Sequence, residues 1–332
     1  MSKKITWGVL STANIAVKKV IPAMQLGTYS EIKAIASRNL ENAIEIAKDL
    51  NIGTAYGSYD ELLNDPTIEA VYIPLPNHLH VEWILKALKA GKHVLCEKPI
   101  GLNAKQAKQL LEQTQQYPKL KVMEGFMYRF HPRWNVVKEH IKKGTIGDLK
   151  NIHSTFTYYN VDPTNIRNKP EVGGGSLLDV GCYCVSLSRF LFEEEPIKVL
   201  ANINYDPVLK TDYLVSAILQ FPKGTATFTC STQLLKREYA EIIGTEGAIE
   251  IPHSFIPSKD DESKIVIANT SEHKEIVFKK CNQYTLQGDA FSLAILNNTE
   301  VPTSLQDALD NMIVIDQLFK SGKEQKWIEI NH

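Results

Sequence analysis

Short apolar runs alternate with helical patterns in the first part of the chain. Strands are predicted for residues 4–10, 32–37, 70–73, 93–96 and 120–123. The helices between them have candidate caps at Asn39, Ser58 and Asn77, and Ser58-x-x-Glu61 has the form of a capping box. A further helix is predicted from Asn103 to about Gln116. Because strand and helix alternate, we predict a parallel sheet with helices on both faces.

The pattern changes after Met123. A helix is predicted from Pro132 to Gly144, and strands are then predicted for residues 149–159, 197–205, 213–221, 225–234 and 239–251. Two helices, about 286–297 and 305–321, close the chain, and the charge runs 193–195 and 259–264 are interpreted as solvated loops. The predicted fold class is α/β. A doubly wound parallel sheet occupies residues 1–124, and an α+β domain with a large, mostly antiparallel open sheet occupies residues 125–332.

Composition limits the partners and the compartment. The 332 residues carry a formal net charge of -1, so no broad attraction to nucleic acid or to an anionic membrane is expected. No apolar run approaches the ~20 residues that span a bilayer, and the chain starts without a signal-peptide pattern. The five cysteines are odd in number and form no C-x-x-C pair, which indicates reduced thiols. We therefore expect a cytoplasmic protein.

The turn after the first strand is a candidate dinucleotide-binding loop. The positions of the G-x-G-x-x-G glycines hold Ser11, Ala13 and Ala16, which are all small. A pyrophosphate could therefore still approach the helix N-terminus along the backbone of Ser11, Thr12, Ala13, Asn14 and Ile15. A tight strand-to-helix turn without any ligand would have the same pattern.

The end of the second predicted strand favours NADP over NAD. NAD enzymes usually place an acidic residue there, which binds the ribose hydroxyls. This chain has Ser37 and Arg38 instead. A guanidinium can bind a 2′-phosphate, whereas an acid would repel it. The alternative interpretation of Arg38 is an ordinary surface arginine.

Two further strand ends bring polar residues to the sheet edge where a nicotinamide would lie. Leu75, Pro76, Asn77 and His80 follow the strand at 70–73, and Glu97-Lys98-Pro99 follows the strand at 93–96. No third ligand for a metal shared by His78 and His80 is visible nearby, so no metal site is predicted. Glu97 and Lys98 could alternatively form a surface pair.

The segment from Gly173 to Tyr183 supplies a carboxylate and a phenol. A glycine run opens a predicted helix, on which Asp179 and Tyr183 lie four residues apart and share a face. With Lys98, they are the groups needed to move a proton on and off a sugar-like hydroxyl beside a nicotinamide. An acid near a helix start and a tyrosine in the core would also be ordinary packing.

Taken in order, residues 8–16, Pro76-Asn77-x-x-His80, Glu97-Lys98-Pro99 and residues 173–183 resemble the Gfo/Idh/MocA oxidoreductases over essentially the whole chain. Many members have histidine where this chain has Tyr183. Tyr183 and Ser37-Arg38, with residues 124–132 and 165–167, resemble the branch of glucose–fructose oxidoreductase, NADP-dependent D-xylose dehydrogenase and dimeric dihydrodiol dehydrogenase. The resemblance implies an NADP-binding Rossmann domain in residues 1–124. It also implies a substrate-binding domain in residues 125–332 whose sheet forms a homodimer.

The resemblance further implies catalytic roles for Lys98 and Tyr183. We hypothesise reversible hydride transfer between NADP(H) and a sugar, polyol or diol, with Tyr183 as general acid/base assisted by Lys98 and Asp179. Lys98, Asp179, Tyr183 and Arg167 are the candidate substrate-binding residues. Glu97 and His80 are expected to contact the cofactor. Arg129 is expected either to contact the cofactor or to form an ion pair between the domains.

Two other functions remain open at this stage. The enzyme could keep its nucleotide bound and use it twice in one cycle, or the chain could be a non-catalytic NADP-binding regulator or scaffold. Loss of the lysine or of the phenol would favour the scaffold, and both residues are present. Phe156 and Tyr158 lie on one face of a predicted strand, which is typical of core packing and also of a sugar pocket.

Overall fold

The computed structural model describes residues 3–270 and 273–330. By backbone compactness the chain forms two units. The first unit contains the residues up to Phe130 together with Asn282–Leu309, and the second contains His131–Cys281 and the residues from Asp310 onward. The main difference from the predicted ranges 1–124 and 125–332 is that residues 282–309 return to the first unit.

The first unit contains a six-stranded sheet in the order β3-β2-β1-β4-β5-β6. Every pairing in it is parallel, as the alternation of strands and helices predicted. The strands are β1 (Ile5–Leu10), β2 (Ser30–Ala36), β3 (Thr54–Tyr56), β4 (Ala70–Ile73), β5 (His93–Cys96) and β6 (Val122–Glu124). This order is that of a doubly wound dinucleotide-binding sheet, so the predicted fold class is confirmed for this part of the chain.

The α-helices are α1 (Ile21–Gln25), α2 (Leu40–Asp49), α3 (Tyr59–Leu63), α4 (His80–Lys89), α5 (Ala104–Thr114), α6 (Arg133–Lys142), α7 (Cys182–Phe192), α8 (Gln283–Leu296) and α9 (Leu305–Glu324). Two of the predicted caps are confirmed, because the side chains of Asn39 and Ser58 accept backbone N–H bonds at the starts of their helices. Asn103 also caps its helix, a role that was not predicted from the sequence. The predicted cap at Asn77 is wrong. A 3₁₀ turn occupies Asn77–Leu79, and α4 begins only at His80.

The second unit contains a nine-stranded sheet in the order β14-β13-β12-β11-β7-β10-β9-β8-β15. Its strands are β7 (Leu149–Tyr159), β8 (Lys198–Tyr205), β9 (Asp212–Gln220), β10 (Thr225–Ser231), β11 (Gln233–Gly244), β12 (Gly247–Pro252), β13 (Ser263–Asn269), β14 (His273–Phe278) and β15 (Ile328–Glu329). β10 pairs with β7 in parallel, and the other pairings of described strands are antiparallel. The large, mostly antiparallel sheet is thus confirmed.

Two predictions for the second unit are wrong in detail. Residues 239–251 do not form one strand, because the chain reverses between Gly244 and Gly247 to make the β11–β12 hairpin. The charge runs are not wholly solvated loops. Ser263 and Lys264 begin β13, and Glu195 accepts two hydrogen bonds from the buried Arg189, at 2.6 and 2.7 Å.

One segment, Pro170–Phe192, is long and apolar enough by composition to cross a bilayer, which the search for apolar runs in the sequence did not reveal. However, 89% of its most apolar window is buried inside the protein. Within the second unit, α7 packs on β7 and β10. The segment is therefore the core helix of this unit.

Candidate active site

The turn after β1 has the geometry of a dinucleotide-binding loop without its usual glycines. Ser11 takes φ 142°, a conformation that favours glycine, and its Oγ accepts a hydrogen bond from the N–H of Ala13 at 3.0 Å. Thr12 Oγ1 accepts from Asn42 of α2 at 2.8 Å. A helical segment begins at Asn14 and passes through a π-helical turn at Ala16–Val20 into α1. The first N–H groups of a helix have no partner inside it, so this turn presents donors suited to a pyrophosphate. Ser11, Thr12, Ala13, Asn14 and Ile15 therefore fit the predicted group.

The end of β2 presents a basic group and no acid. Ser37 is buried, and its Oγ accepts the N–H of Asn39 at 3.3 Å, so the serine shapes the turn into α2. Arg38 is exposed directly after the strand. The side chain available to a ribose or its 2′-phosphate at this strand end is thus a guanidinium.

His80 lies inside the first unit rather than at a metal site. Its ring is fully buried, with Nδ1 2.7 Å from the carbonyl oxygen of Pro99 and Nε2 2.7 Å from that of Leu75. Burial lowers the pKa of His80 to about 4, although both carbonyl contacts oppose this shift. The imidazole thus links the segment Leu75-Pro76-Asn77, after β4, to the segment after β5. Among residues 3–270 and 273–330 no group of three potential metal ligands occurs.

Lys98 lies in a segment that is held at several neighbouring positions. The hydroxyl of Tyr72 donates to Glu97 Oε1 at 2.7 Å, and Glu124 Oε1 accepts the N–H of Ile100 at 2.7 Å. Lys98 is half-buried, and the Lys98–Pro99 peptide bond is cis. With the bond between His80 and Pro99, residues 97, 99 and 100 are tied to β4, α4 and β6, which fixes the chain on both sides of the lysine.

Arg129 forms an ion pair within its own unit, and its predicted cofactor contact stays a prediction. Its Nη1 forms an ion pair with Asp307 Oδ2 at 2.8 Å, and its Nε lies 3.4 Å from the hydroxyl of Tyr128. Asp307 and Arg129 belong to the same unit. The pair therefore stabilises the first unit and is not the ion pair between domains that the sequence suggested as one alternative.

In the second unit, the glycine run is a close-packed turn and not a flexible spacer. A Cβ on Gly174 would lie 2.6 Å from the carbonyl oxygen of Arg167, and Gly175 takes φ +119°. A Cβ on Gly175 would meet Asp212 Oδ1 at 1.9 Å. Asp212 is buried and accepts Ser176 Oγ at 2.8 Å and the N–H of Leu177 at 2.7 Å. The run is glycine because the backbone of the 165–169 turn and a buried carboxyl both pack directly against it.

Asp179 is held by two side chains of its own unit. The hydroxyl of Tyr158 donates to Oδ2 at 2.5 Å, and Nε of Arg167 lies 3.1 Å from both carboxylate oxygens. Arg167 is placed by Asn165, whose Oδ1 accepts the N–H of Arg167 at 3.0 Å. The predicted residues Arg167 and Asp179 are thus brought together, and Tyr158 joins them.

Tyr183 follows on the same helical segment, which passes from a π-helical turn at Leu177–Gly181 into α7. Its ring is buried, with centroids 5.3 Å from Phe156 and 5.6 Å from Phe255 in edge-on contacts. Phe156 and Phe255 stack at 5.0 Å with an interplanar angle of 7°. Two phenylalanine rings therefore fix the orientation of the phenol.

The loop that carries Phe255 is clamped by a buried arginine. The guanidinium of Arg133 donates to the carbonyl oxygens of Pro252, His253 and Ser254 at 3.4, 2.8 and 2.5 Å. Glu238 accepts the N–H of Ile256 at 2.6 Å on the other side of Phe255. These contacts hold the aromatic neighbour of Tyr183 in place.

The predicted residues thus fall into two groups. The first unit contains the candidate cofactor residues and Lys98, and the second contains Arg167, Asp179 and Tyr183. Sequence reasoning missed Tyr72, Glu124, Asp212, Phe255 and Arg133. Tyr158, in contrast, was noted in the sequence, because it shares a predicted strand face with Phe156.

Models of two protein families match this chain. Residues 5–126 match the oxidoreductase family with an NAD-binding Rossmann fold, and residues 134–250 match the GFO/IDH/MocA C-terminal domain. The first range coincides with the parallel sheet, and the second begins in α6 and ends in β12. Both families are those that the sequence motifs resembled.

Several proteins that are similar to this chain are named as oxidoreductases. D-xylose 1-dehydrogenase (NADP(+)) 2 of Haloferax volcanii is 33% identical over 98% of this chain and 99% of its own length. Trans-1,2-dihydrobenzene-1,2-diol dehydrogenase of Xenopus tropicalis is 34% identical, with 74% of each chain covered. The crystal structure of a 3-ketoreductase from Actinomadura kijaniata with NADP and TDP-benzene superimposes with a TM-score of 0.90 at 28% identity, covering 96% of this chain and 98% of that one.

Proposed function

Since the chain belongs to the GFO/IDH/MocA family of oxidoreductases, we propose that it transfers hydride between NADP(H) and a hydroxyl-bearing carbon of a sugar, polyol or diol. The observation that carries the proposal is the segment with Asp179 and Tyr183. It presents a phenol packed edge-on against two stacked phenylalanine rings, one helical turn after a carboxylate that is already paired with a guanidinium. The names of the xylose and dihydrodiol dehydrogenases support this substrate class.

In the proposed reaction Tyr183 exchanges the proton of the substrate hydroxyl. It accepts that proton during oxidation and returns it during reduction. A free phenol has a pKa of about 10, which is too high for a good base near neutrality. We propose that the ammonium of Lys98 favours the phenolate and also binds the reacting oxygen. Asp179 and Arg167 bind further substrate hydroxyls in this proposal.

The residues that would hold the dinucleotide lie in the first unit. The turn of Ser11, Thr12, Ala13, Asn14 and Ile15 binds the pyrophosphate, and Ser37 with Arg38 binds the ribose and its 2′-phosphate. Leu75, Pro76, Asn77, His80, Glu97 and Arg129 shape or border the nicotinamide end. When bound, the nicotinamide supplies the hydride chemistry, and the protein supplies orientation and proton transfer.

We also propose a cytoplasmic homodimer. Four of the five cysteines are buried as free thiols and the fifth is half-buried, which is in keeping with a reducing compartment. The large sheet of the second unit is the proposed dimer surface, as the family resemblance implies. Light scattering during size-exclusion chromatography tests the proposed assembly, because a monomer would contradict it.

A substrate screen with catalytic variants tests the proposed function. Aldoses, polyols and diols are assayed with NADP⁺ and NAD⁺, and Tyr183→Phe and Lys98→Ala should each lower turnover by about two orders of magnitude or more. The matched control is Tyr159→Phe, which changes an exposed phenol in β7 and should leave turnover unchanged. A Tyr183→Phe enzyme with full turnover contradicts the proton-transfer role.

The same screen separates the other two functions. A chain that binds NADPH but turns over none of these substrates behaves as a regulator or scaffold. Nucleotide that copurifies with the protein and remains through many turnovers indicates an enzyme that uses one bound cofactor twice. Release of nucleotide in each cycle, with turnover lost in Tyr183→Phe, supports the proposed dehydrogenase or reductase.

A further inference from the structure

Arg167 and Tyr158 contact Asp179 from two sides, and the side chain of Arg167 is partly exposed to solvent. The side chain of Asp179 is 12% exposed, and that of Arg167 is 42% exposed. Arg167 reaches the carboxylate from the loop between β7 and α7, with Nε 3.1 Å from both oxygens. Tyr158 reaches it from the sheet, at 2.5 Å. The contact from the loop is therefore partly open to solvent, and the contact from the sheet is rigid.

Tyr158 is a permanent hydrogen-bond donor to this carboxylate. Burial and then the charge of Asp179 raise the pKa of Tyr158 far above its ordinary value. A phenol that keeps its proton cannot act as a general base, but it stabilises an anion that accepts its hydrogen bond. The two tyrosines around Asp179 thus differ in kind, because Tyr158 holds the carboxylate while Tyr183 is the proposed proton carrier.

We propose that Tyr158 is a positioning residue of the active site, which keeps Asp179 ionised and fixed one turn before Tyr183 and thereby sets the acid limit of activity. This inference rests on the proposed function. In the second unit, the titratable and charged groups that act on Tyr158 besides Asp179 include Arg167 from the loop and Cys230 from β10. Neither replaces the phenol, since Arg167 lies on the exposed side and burial raises the pKa of Cys230, which keeps it a neutral thiol.

The first test is the pH profile of Tyr158→Phe. Without the donor, Asp179 takes up a proton more easily, so the acid limb of kcat/KM should move upward by about one pH unit. Activity on the alkaline side of that limb should fall less than about threefold, because the proposed acid/base is unchanged. Tyr159→Phe is the control and should leave the limb in place. If the acid limb of kcat/KM in Tyr158→Phe lies at the same pH as in the wild type, the proposal is overturned.

A second measurement keeps the side chain and changes only its acidity. 3-Fluorotyrosine at position 158 is a more acidic phenol and hence a stronger donor to the carboxylate. It should move the acid limb to lower pH, opposite to Tyr158→Phe. A role limited to packing would leave the limb unmoved by this replacement, and that result would contradict the inference.

A double-mutant cycle on the free energy of unfolding tests the contact between Tyr158 and Asp179 without an assay of activity. Tyr158→Phe should shift the unfolding equilibrium by about tenfold when Asp179 is present, and by much less when Asp179→Ala has already removed the acceptor. Additive effects overturn the proposal even if no substrate is found. Non-additive effects of the two substitutions on unfolding would establish the contact between Tyr158 and Asp179. If no substrate is turned over in that case, the proposed function is contradicted and the contact is not.

Discussion

At the level of single residues, the groups proposed for catalysis are held by neighbours that carry no chemistry of their own. Tyr72, His80 and Glu124 tie down the positions around Lys98, and Tyr158 does the same for Asp179. The motifs indicated Lys98, Asp179 and Tyr183 because their residue types and spacing suit proton transfer. Their supporting contacts join residues about 20 positions apart, and no local pattern marks such pairs.

The proposed cofactor preference depends on one exposed side chain. Arg38→Ala removes the guanidinium that is proposed to bind the 2′-phosphate, so NADPH should bind about tenfold or more weakly. NADH lacks this phosphate and should bind the variant as it binds the wild type. Fluorescence titration with both nucleotides measures this, and NADH serves as the internal control. Equal losses for the two nucleotides would mean that Arg38 supports the fold and not the preference.

Asp212 gives a prediction about pH and stability. Burial raises the pKa of Asp212 from its ordinary value of 3.8 to about 6, although the hydrogen bonds from Leu177 and Ser176 oppose this shift. The folded protein therefore holds a proton between about pH 4 and 6 that the unfolded chain has released, so this group makes stability fall as pH rises through that window. Asp212→Asn keeps an acceptor oxygen and cannot ionise.

Thermal unfolding of Asp212→Asn and wild type from pH 4 to 7 measures this effect. The stability of the variant relative to wild type should increase by about 2 kcal/mol across the window. Tyr205 and Cys230 also face Asp212, and both are neutral there because burial raises the pKa of each. A difference between variant and wild type that stays constant with pH would show that Asp212 ionises normally in the folded protein.

At the level of elements, helices were easier to predict than the second sheet. Asn39 and Ser58 could be predicted as caps because a cap is a contact within one turn. The β11–β12 hairpin was missed because the strand pattern of residues 239–251 continues through Gly244 and Gly247. β14 at the edge of the sheet and its neighbour β13 were missed because both carry charged residues, as Lys264 and Glu275 illustrate with an ion pair across the two strands at 2.6 Å.

The loop between β12 and β13 gives a prediction at this scale. Arg133 is fully buried and donates to the carbonyl oxygens of residues 252–254, so Arg133→Met leaves these acceptors without their donor. We expect a loss of about 3 kcal/mol in the free energy of unfolding. Turnover should fall as well, since Phe255 in this loop contacts the ring of Tyr183.

Urea unfolding and steady-state kinetics measure both effects. Arg237→Met is the matched control, because it makes the same substitution at an exposed position of β11. It should change stability by less than about 0.5 kcal/mol. An Arg133→Met protein as stable as the control would show that the loop keeps its conformation without the clamp.

At the level of the whole molecule, chain order and compact units do not coincide. Residues 282–309 lie between the two sequence segments of the second unit and belong to the first unit in space. Asp289 accepts the N–H groups of Thr28 and Tyr29 at 2.8 and 2.9 Å, and Ser292 accepts the indole N–H of Trp7 at 3.1 Å. Sequence periodicity identified the helix in this segment but could not reveal its partner, because the apolar face of a helix indicates burial without indicating against what.

This return of the chain predicts that residues 1–130 do not form a stable unit alone. Without α8, the fully buried ring of Trp7 loses its contact with the ring of Phe291 at 5.7 Å, and the backbone amides of Thr28 and Tyr29 lose their acceptor. A fusion of residues 1–130 to 282–309 through a flexible linker restores these contacts. It should unfold cooperatively and bind NADPH, and the same fusion with Asp289→Ala should be less stable by about 2 kcal/mol. If residues 1–130 alone unfold at the temperature of the fusion, α8 contributes nothing to the stability of the first unit, and the nucleotide-binding sheet is complete without the returning segment.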